Sequence, residues 1–413
     1  MNTLNALRAL PHALSMAFAV LLVGTANSFT GPYMPLFGVQ VAHMTPLSLG
    51  LFQSLLAISS IVISLQLGRI SDRLPSRRPV VLLVIVAAVV GYLLFTTTTN
   101  YLALCAVAVV FLGTGAAGFP QLFAYARARF GGVSPQVADQ GLTALRSVFS
   151  LAWVVGPGVG ALVVAGSGFR GLFLATALLY AVAGVVVFRS GAGLSVRSHG
   201  APTAPPPPLP LPSRRPPLAL IVASFVLYGA SMSMGFIALP LFVTEELHLA
   251  SGTVGLIVGF CALLEIPVML GFVFLPRRYS NQTLLLFAFG VFVLYFVMLA
   301  LSGSLLPLLL AQVIRAVVVA IAASQGMAYF QDMLPGRLGV ATTLFVNSTS
   351  AGSILAGLVS GAVAQAFNYR TVFFVCGALT LAAWALMLVV SRKQHSLQQS
   401  AELIEQAAAN VHN

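Results

Sequence analysis

Twelve apolar runs follow one another along the chain, each long enough to cross the hydrocarbon core of a membrane. A spanning helix needs about 20 apolar residues, each of which adds about 1.5 Å. Backbone polar groups at that depth find partners only within a helix, so each run is predicted to be helical. The runs lie near residues 12–37, 47–67, 79–97, 101–126, 137–165, 170–188, 217–243, 252–274, 283–301, 304–330, 339–366 and 371–391.

The composition agrees with an all-α integral membrane protein. Hydrophobic residues make up 59% of the chain and charged residues only 7%, too few to cover one water-soluble core. The net charge of +12 would suit nucleic acid, but the basic residues lie singly or in small clusters between the runs. Nucleic-acid binding is therefore not indicated. The three cysteines lie within apolar runs and suggest no disulfide pairing.

The distribution of basic residues predicts the orientation. Sixteen of the twenty lysines and arginines fall in the terminal segments and alternate loops that share one side of the membrane. Two others, Arg170 and Arg370, fall on the opposite side. Because cytoplasmic loops carry an excess of basic residues, both termini are predicted to be cytoplasmic.

A proline-rich stretch divides the chain into two sets of six helices. The run "APPPPLPLP" cannot continue a helix and is typical of an extended linker. A ligand for a partner domain is the alternative interpretation. The predicted units are residues 1–188, a cytoplasmic linker at 189–216, residues 217–393, and a cytoplasmic tail at 394–413.

The two sets of helices resemble each other in sequence. "GTANSFTGPYMPLF" and "GASMSMGFIALPLF" share a glycine and Pro-Leu-Phe at an offset of 205. Gln121 and Gln325 match at an offset of 204, and Arg170 and Arg370 at an offset of 200. The nearly constant offset predicts a parallel duplication. It also favours a retained first helix over a signal peptide, for which "VGTANS" would offer a cut site.

The loop between helices 2 and 3 carries a charged motif. Gly68, Asp72, Arg73, Arg77 and Arg78 resemble the G-x-x-x-D-R-x-G-R-R signature of the major facilitator superfamily. Leu-Pro-Ser replaces x-G between Arg73 and Arg77 and adds one residue. "RSVFSLAWVVGP", "LEIP" and "FQDMLPGRLGVATTLFVNSTSAGSILAGL" further resemble the bacterial sugar efflux transporter family. The resemblance implies a twelve-helix carrier that exports sugars across the bacterial cytoplasmic (inner) membrane.

In such a carrier the cytoplasmic ends of the two halves close and part, and charged networks hold one state by a few kcal/mol. We expect Asp72 to be the centre of this gate, with Arg73, Arg77 and Arg78 beside it. Gly68 is expected to permit close helix approach. The alternative for Arg77 and Arg78 is contact with anionic lipid headgroups.

Helix 5 contains a second motif, "GPGVG". Gly156, Pro157 and Gly160 resemble the G-P-x-x-G-G signature of proton-linked exporters, with alanine in the last place. The resemblance implies a bend between the halves. Simple packing of small residues is the alternative.

Three charged side chains are predicted inside spans: Arg146, Glu265 and Arg315. A charge there costs about 2.5 to 3.5 kcal/mol, so each should face a partner or a watery cavity. Glu265 and Arg146 lie at similar depths in helices that face each other in this superfamily. We predict that they pair when the cytoplasmic side is closed and that the carboxylate couples transport to protons. Arg315 is the alternative partner, and a permanent structural pair is the alternative role.

A sugar needs hydrogen-bonding side chains and an aromatic face in an otherwise apolar cleft. The candidates are Asn27, Gln121, Trp153, Gln325 and Asn347, from helices 1, 4, 5, 10 and 11. Each amide has an alternative role as a cross-link between helices.

Other functional classes have less support. The six histidines lie at span ends, in loops or in the tail, so no enzyme, metal or cofactor site is indicated. A multidrug exporter is the main alternative, because eleven methionines would suit an adaptable pocket. The expected partners are a sugar, protons and the lipid bilayer, and we expect the carrier to work as a monomer.

Overall fold

The computed structural model describes residues 12–130, 134–190, 218–274, 279–334 and 337–411, which are mostly helical and contain no strand. Eleven of the described helices are long and apolar enough to cross a membrane. We number the spans α1 to α12. The bounds are α1 Ala13–Gln40, α2 Pro46–Arg73, α3 Arg78–Phe95, α4 Tyr101–Arg129, α5 and α6 within Pro135–Arg189, α7 Leu218–Glu246, α8 Ser251–Phe274, α9 Asn281–Leu301, α10 Leu305–Met333, α11 Leu338–Ala366 and α12 Tyr369–Val411.

The longest helix, Pro135–Arg189, contains two spans. Its 55 residues would extend about 80 Å, more than twice the thickness of the hydrocarbon core. At Gly168 the backbone takes φ 65° and ψ −171°, which side chains with a Cβ rarely adopt. The chain turns there and forms α5 (135–167) and α6 (169–189). The predicted all-α fold with twelve spans is confirmed.

The structure does not test the predicted domain boundaries. Most of the linker at 189–216 lies outside the described residues. α12 continues without a break from Tyr369 to Val411, so most of the predicted tail at 394–413 extends the last span as helix. The division into units therefore stays a prediction.

The backbone supports the internal duplication. His43 and His248, which are 205 residues apart, both have left-handed backbone angles, with φ of 50° and 53°. Phe37 packs edge-to-face on Phe173 at 4.8 Å, and Phe242 packs in the same way on Phe373 at 5.1 Å. The same turn and the same aromatic contact thus recur at equivalent places in the two halves.

The halves meet at the end of the bundle where α1 leads into α2, which we call the distal end. There Gly50 of α2 faces α11 so closely that a Cβ on Gly50 would lie 2.4 Å from the Gly357 carbonyl oxygen. Ser54 donates a hydrogen bond to the Ile354 carbonyl at 2.8 Å and accepts one from the Leu358 N–H at 2.9 Å. Glycine in these positions lets two helix backbones touch.

A second contact joins α5 to α8 near the same end. A Cβ on Gly255 would lie 2.5 Å from the Pro157 carbonyl oxygen and 2.6 Å from the Tyr33 hydroxyl. One on Gly259 would lie 3.0 Å from the Val154 carbonyl oxygen. Farther out, the Gln40 amide donates to the Glu245 carboxylate at 2.9 Å. The distal end is therefore closed.

Toward the opposite, arginine-rich end the halves separate. Arg146 and Ser150 lie on the helical face of α5 that continues from Val154, because residues three and four apart share a face. Val154 contacts α8, whereas Arg146 and Ser150 are exposed. On α11, Asn347 lies two turns before Ile354 on the face toward α2 and is likewise exposed. The structure is thus open at the arginine-rich end.

Candidate functional site

A cavity of about 260 Å³, which we call the central cavity, lies between the helices of the first half and α7. Its polar lining comes from α1, α2, α3 and α6, and its second-half wall comes from α7. The apolar part of the lining includes Met34, Leu56, Leu112, Phe236 and Ile237. The polar side chains are Asn27, Thr30, Gln53, Ser60, Tyr92 and Tyr180. A mainly apolar cavity with a few polar groups is the usual composition of a small-molecule site.

Two stacked tyrosines form one wall. The rings of Tyr92 and Tyr180 lie 5.9 Å apart at an angle of 18°. Their hydroxyls are held by α1: Tyr92 shares a hydrogen bond with Thr30 at 3.0 Å, and Tyr180 donates to Asn27 Oδ1 at 3.2 Å. Asn27 in turn donates to the Val23 carbonyl at 3.0 Å. The network fixes the orientation of both rings, because each hydroxyl has a partner in α1.

Gln53 supplies an uncommitted amide. It lines the cavity from α2, and its side chain makes no hydrogen bond to another described residue. A primary amide has two N–H donors and one acceptor oxygen. Gln53 can therefore donate to and accept from hydroxyl groups of a bound molecule.

The five predicted sugar-binding residues are not brought together. Asn27 lines the cavity, and Trp153 lies next to it through Phe236, with ring centres 6.3 Å apart. Gln121 is buried outside the lining, and its Oε1 has no hydrogen-bond partner among the described residues. Gln325 donates to the neighbouring Ser324 at 3.3 Å, and Asn347 is exposed on α11. Neither lines the cavity.

Sequence reasoning missed Thr30, Gln53, Tyr92 and Tyr180. Gln53 was visible as an amide in an otherwise apolar run, and the two tyrosines as hydroxyls within predicted spans. The face that each presents depends on how α2, α3 and α6 pack around α1. No motif in the sequence encodes that packing.

Phe236 joins the cavity to a buried charged group. The guanidinium of Arg315, on α10, lies 5.9 Å from the centre of the Phe236 ring, within range of a cation–π contact. Arg315 also interacts electrostatically with Tyr228, Cys261, Glu265 and Tyr295. The predicted buried charges Glu265 and Arg315 therefore lie in one polar cluster within the second half.

Arg146 lies apart from this cluster. No ion pair within 4.0 Å joins Arg146 to Glu265 among the described residues, and Arg315 is the charged group that acts on Glu265. The predicted pair belongs to the state closed at the arginine-rich end, so it stays a prediction. In the present state the alternative partner, Arg315, is the relevant one.

The gate residues form contacts within the first half. Arg77 pairs with Asp72 at 2.5 Å and donates to Ser71 at 3.3 Å. Arg78 donates to the Phe188 carbonyl, and its guanidinium lies 4.9 Å from the centre of the Phe188 ring. These contacts attach the loop between α2 and α3 to the end of α6. Arg73 is exposed.

The close helix approach expected at Gly68 is not seen in this state. A Cβ on Gly68 would meet no atom within 4 Å, so no helix approaches closely there. The reason is the separation of the halves at the arginine-rich end, which leaves the end of α2 uncovered.

The expected bend at Gly156, Pro157 and Gly160 stays a prediction, and the contacts of these residues favour the packing alternative. Within Pro135–Arg189 the non-helical dihedral angles lie at Gly168, not at these three residues. A Cβ on Gly156 would lie 1.7 Å from Ser28 Oγ, and one on Gly160 would lie 3.2 Å from the Phe29 carbonyl oxygen. The glycines therefore serve close packing of α5 on α1, and the Pro157 carbonyl accepts a hydrogen bond from Tyr33 at 2.8 Å.

The fold is shared with solved transporter structures. The nucleoside transporter NupG superposes with a TM-score of 0.78 at 15% identity, over 94% of this chain and 99% of that one. A bacterial homologue of the iron transporter ferroportin, in an inward-facing state, superposes with a TM-score of 0.73 at 16% identity, over 93% and 99% of the two chains. Identities this low establish the fold alone.

Sequence relatives identify the family. A profile of the Major Facilitator Superfamily matches residues 16–309 and 229–411. A Deinococcus radiodurans protein named for sugar efflux transport is 45% identical over 386 residues, which are 93% of this chain and 99% of the relative. Sugar efflux transporter A of Dickeya chrysanthemi is 31% identical over 383 residues, 92% of this chain and 96% of the relative. The chain therefore belongs to the major facilitator superfamily and, within it, to the bacterial sugar efflux transporters.

Proposed function

We propose that this protein is a secondary carrier that exports sugars or small glycosides from the bacterial cytoplasm, with protons moving in the opposite direction. The central cavity is the observation that carries the proposal. It combines a free amide at Gln53, the hydroxyls of Tyr92 and Tyr180, and the aromatic ring of Phe236. Sugars present hydroxyls at their edges and C–H groups on their faces, and this lining complements both.

Alternating access follows from the arrangement of the halves. The distal end is closed, and the arginine-rich end, which we take as cytoplasmic from its basic residues, is open. A sugar would load from the cytoplasm in this state. The halves would then close around Asp72 and part at the glycine contacts of α2 and α11, which releases the sugar on the other side.

Proton exchange would use the cluster behind Phe236. Glu265 is a carboxylate inside the second half, and Arg315 is its charged neighbour. Protonation of Glu265 would weaken its attraction to Arg315, whose guanidinium rests against a ring of the cavity. Proton binding and sugar binding would then bias the same conformational equilibrium.

A transport assay tests the substrate class. We expect proteoliposomes loaded with a labelled sugar to release it faster with the protein than without, and excess unlabelled sugar to compete. Lipophilic dyes would compete instead if the protein were a multidrug exporter, the alternative within the superfamily. A multidrug exporter would be expected to have several methionines in an adaptable pocket. Of the described methionines, Met34 alone lines the cavity, so this alternative has little support.

A further inference from the structure

A second cavity, of about 220 Å³, opens at the distal end of the first half. It lies between the end of α1, the turn that joins α3 to α4, and the start of α6. Its lining includes Phe37, Val41, Thr98, Thr99, Arg170 and Phe173. None of these residues lines the central cavity.

The cavity contains a cation that has no partner among the described residues. Arg170 is exposed and makes no hydrogen bond or ion pair with another described residue. The Thr98 hydroxyl oxygen accepts the Asn100 N–H at 3.1 Å, which leaves the hydroxyl hydrogen free to donate. Arg170 and Thr98 therefore present hydrogen-bond donors to the same small space.

In the second half the arginine that corresponds to Arg170 is Arg370, and it contacts a carboxylate. Arg370 lies 5.1 Å from the centre of the Phe242 ring and donates to the Ala300 carbonyl at 2.5 Å. Its Nε lies 3.8 Å from Glu246 Oε2, and its backbone N–H donates to Glu246 Oε1 at 2.9 Å. A carboxylate of the same half thus neutralises this arginine.

The two sites are equivalent by position. Arg170 and Arg370 each precede by three residues the phenylalanine of the edge-to-face pair, Phe173 or Phe373. Glu246 follows Phe242 by four residues, and the residue that follows Phe37 by four is Val41. The first half therefore keeps the cation and the aromatic base but has valine in place of the carboxylate.

We propose that the distal cavity binds an anion through Arg170, in the place that the Glu246 carboxylate takes in the second half. The ligand is a phosphate group, either free or as the headgroup of an anionic phospholipid. A planar guanidinium matches the oxygen spacing of phosphate and carboxylate groups and binds them in a bidentate manner. The hydroxyl of Thr98 supplies a further donor, and the volume suits a group of this size.

The test uses the full-length protein in detergent, with inorganic phosphate as the first probe. Phosphate should raise the midpoint of thermal unfolding in a saturable manner, and sodium chloride at the same ionic strength should not. Arg170→Gln should raise the apparent Kd at least tenfold. Val41→Glu should do the same, because it supplies from within the chain the carboxylate that the second half has.

The second probe separates the two sources of phosphate. Native mass spectrometry of the protein purified from nanodiscs should show retained phosphatidylglycerol, but not phosphatidylcholine, if the ligand is a lipid headgroup. That retention should be lost in Arg170→Gln and Val41→Glu. Phosphate binding without lipid retention identifies a free anion.

Arg69→Gln is the matched control, because Arg69 is an exposed arginine at the opposite end of the bundle. It should bind phosphate or lipid as the parent does. The proposal is overturned if the parent binds neither probe, or if Arg170→Gln and Val41→Glu bind as tightly as Arg69→Gln.

Discussion

The guanidinium of Arg315 lies 5.9 Å from the centre of the Phe236 ring, and the same ring lines the central cavity. One side chain therefore separates the proposed sugar site from the buried charged cluster. Trp153 of the first half lies on the same ring, with centres 6.3 Å apart. A substitution at Phe236 is therefore expected to affect sugar binding, the charged cluster and the contact between the halves.

Phe236→Ala should weaken sugar binding about fivefold, because an aromatic contact of this kind contributes about 1 kcal/mol. It should also alter the pH dependence of transport, since Arg315 loses its cation–π contact. Equilibrium binding and transport measured across pH test both effects. Phe287→Ala, at a residue 55% exposed on the outer surface of α9, should change neither. If Phe236→Ala binds sugar as tightly as the parent, the Phe236 ring is not part of the sugar site.

Gln53→Ala should raise the Kd for sugar about fivefold, because a lost hydrogen bond of this type costs about 1 kcal/mol. Isothermal titration of the purified protein measures the change. Gln66→Ala, at an exposed amide on the same helix, should have no effect. Gln121→Ala and Gln325→Ala should cost less than Gln53→Ala, because neither glutamine lines the cavity in this state. The reverse order would place the sugar deeper toward α4 and α10.

Asp72→Asn should leave the protein folded but slow transport about tenfold. The substitution keeps the shape of the side chain and removes its charge, which pairs with Arg77 at 2.5 Å in this open state and which we expect to hold the charged network of the closed state. A loss of 1.4 kcal/mol from the closed state corresponds to a factor of ten. Efflux from proteoliposomes measures the rate. Asp139→Asn is the control, because Asp139 also forms an exposed ion pair, with Arg127 at 3.8 Å. Equal rates in the two variants would end the gating role of Asp72.

Glu265→Gln should abolish pH-driven uphill transport while downhill sugar exchange remains measurable. The amide cannot change charge, so the contact with Arg315 no longer depends on protons. Arg146→Gln should stay coupled if Arg315 is the partner in both states, and it should lose coupling if Arg146 takes that role when the cytoplasmic side closes. Sugar accumulation by Glu265→Gln under a proton gradient alone would falsify the coupling proposal.

Gly50→Val should force the distal end apart, because even a Cβ at this position would lie 2.4 Å from the Gly357 carbonyl oxygen. The population should shift toward the state open at the distal end. Labelling of a cysteine introduced at Ser54, which is buried between α2 and α11, should then become faster. Gly252→Val provides the comparison, since a Cβ there would meet no atom within 4 Å. Unchanged labelling in Gly50→Val would show that the glycine contact does not hold this end closed.

The fold was more predictable than the site, for a physical reason. Hydrophobic length determines where a chain crosses a membrane, so the runs at 79–97 and 283–301 closely match the helices Arg78–Phe95 and Asn281–Leu301. The break at Gly168 falls between the predicted fifth and sixth spans. In contrast, Gln53 faces the cavity and Asn347 does not, and both are isolated polar residues in apolar runs. Which face of a helix lines a cavity depends on the packing of all its neighbours.

The glycine contact between α2 and α11 also gives the two ends of the carrier different physical sensitivities. Backbone touches backbone at Gly50 and Gly357, without a formal charge on either side. Dissolved ions screen attraction between charges over about 10 Å at 0.1 M ionic strength, but they leave contact between uncharged atoms almost untouched. The proposed gate around Asp72 is built from charges, so salt should weaken closure there more than it weakens the glycine contact. Ionic strength would thereby change the fraction of carriers that are open at the arginine-rich end, while the glycine contact between α2 and α11 stays constant.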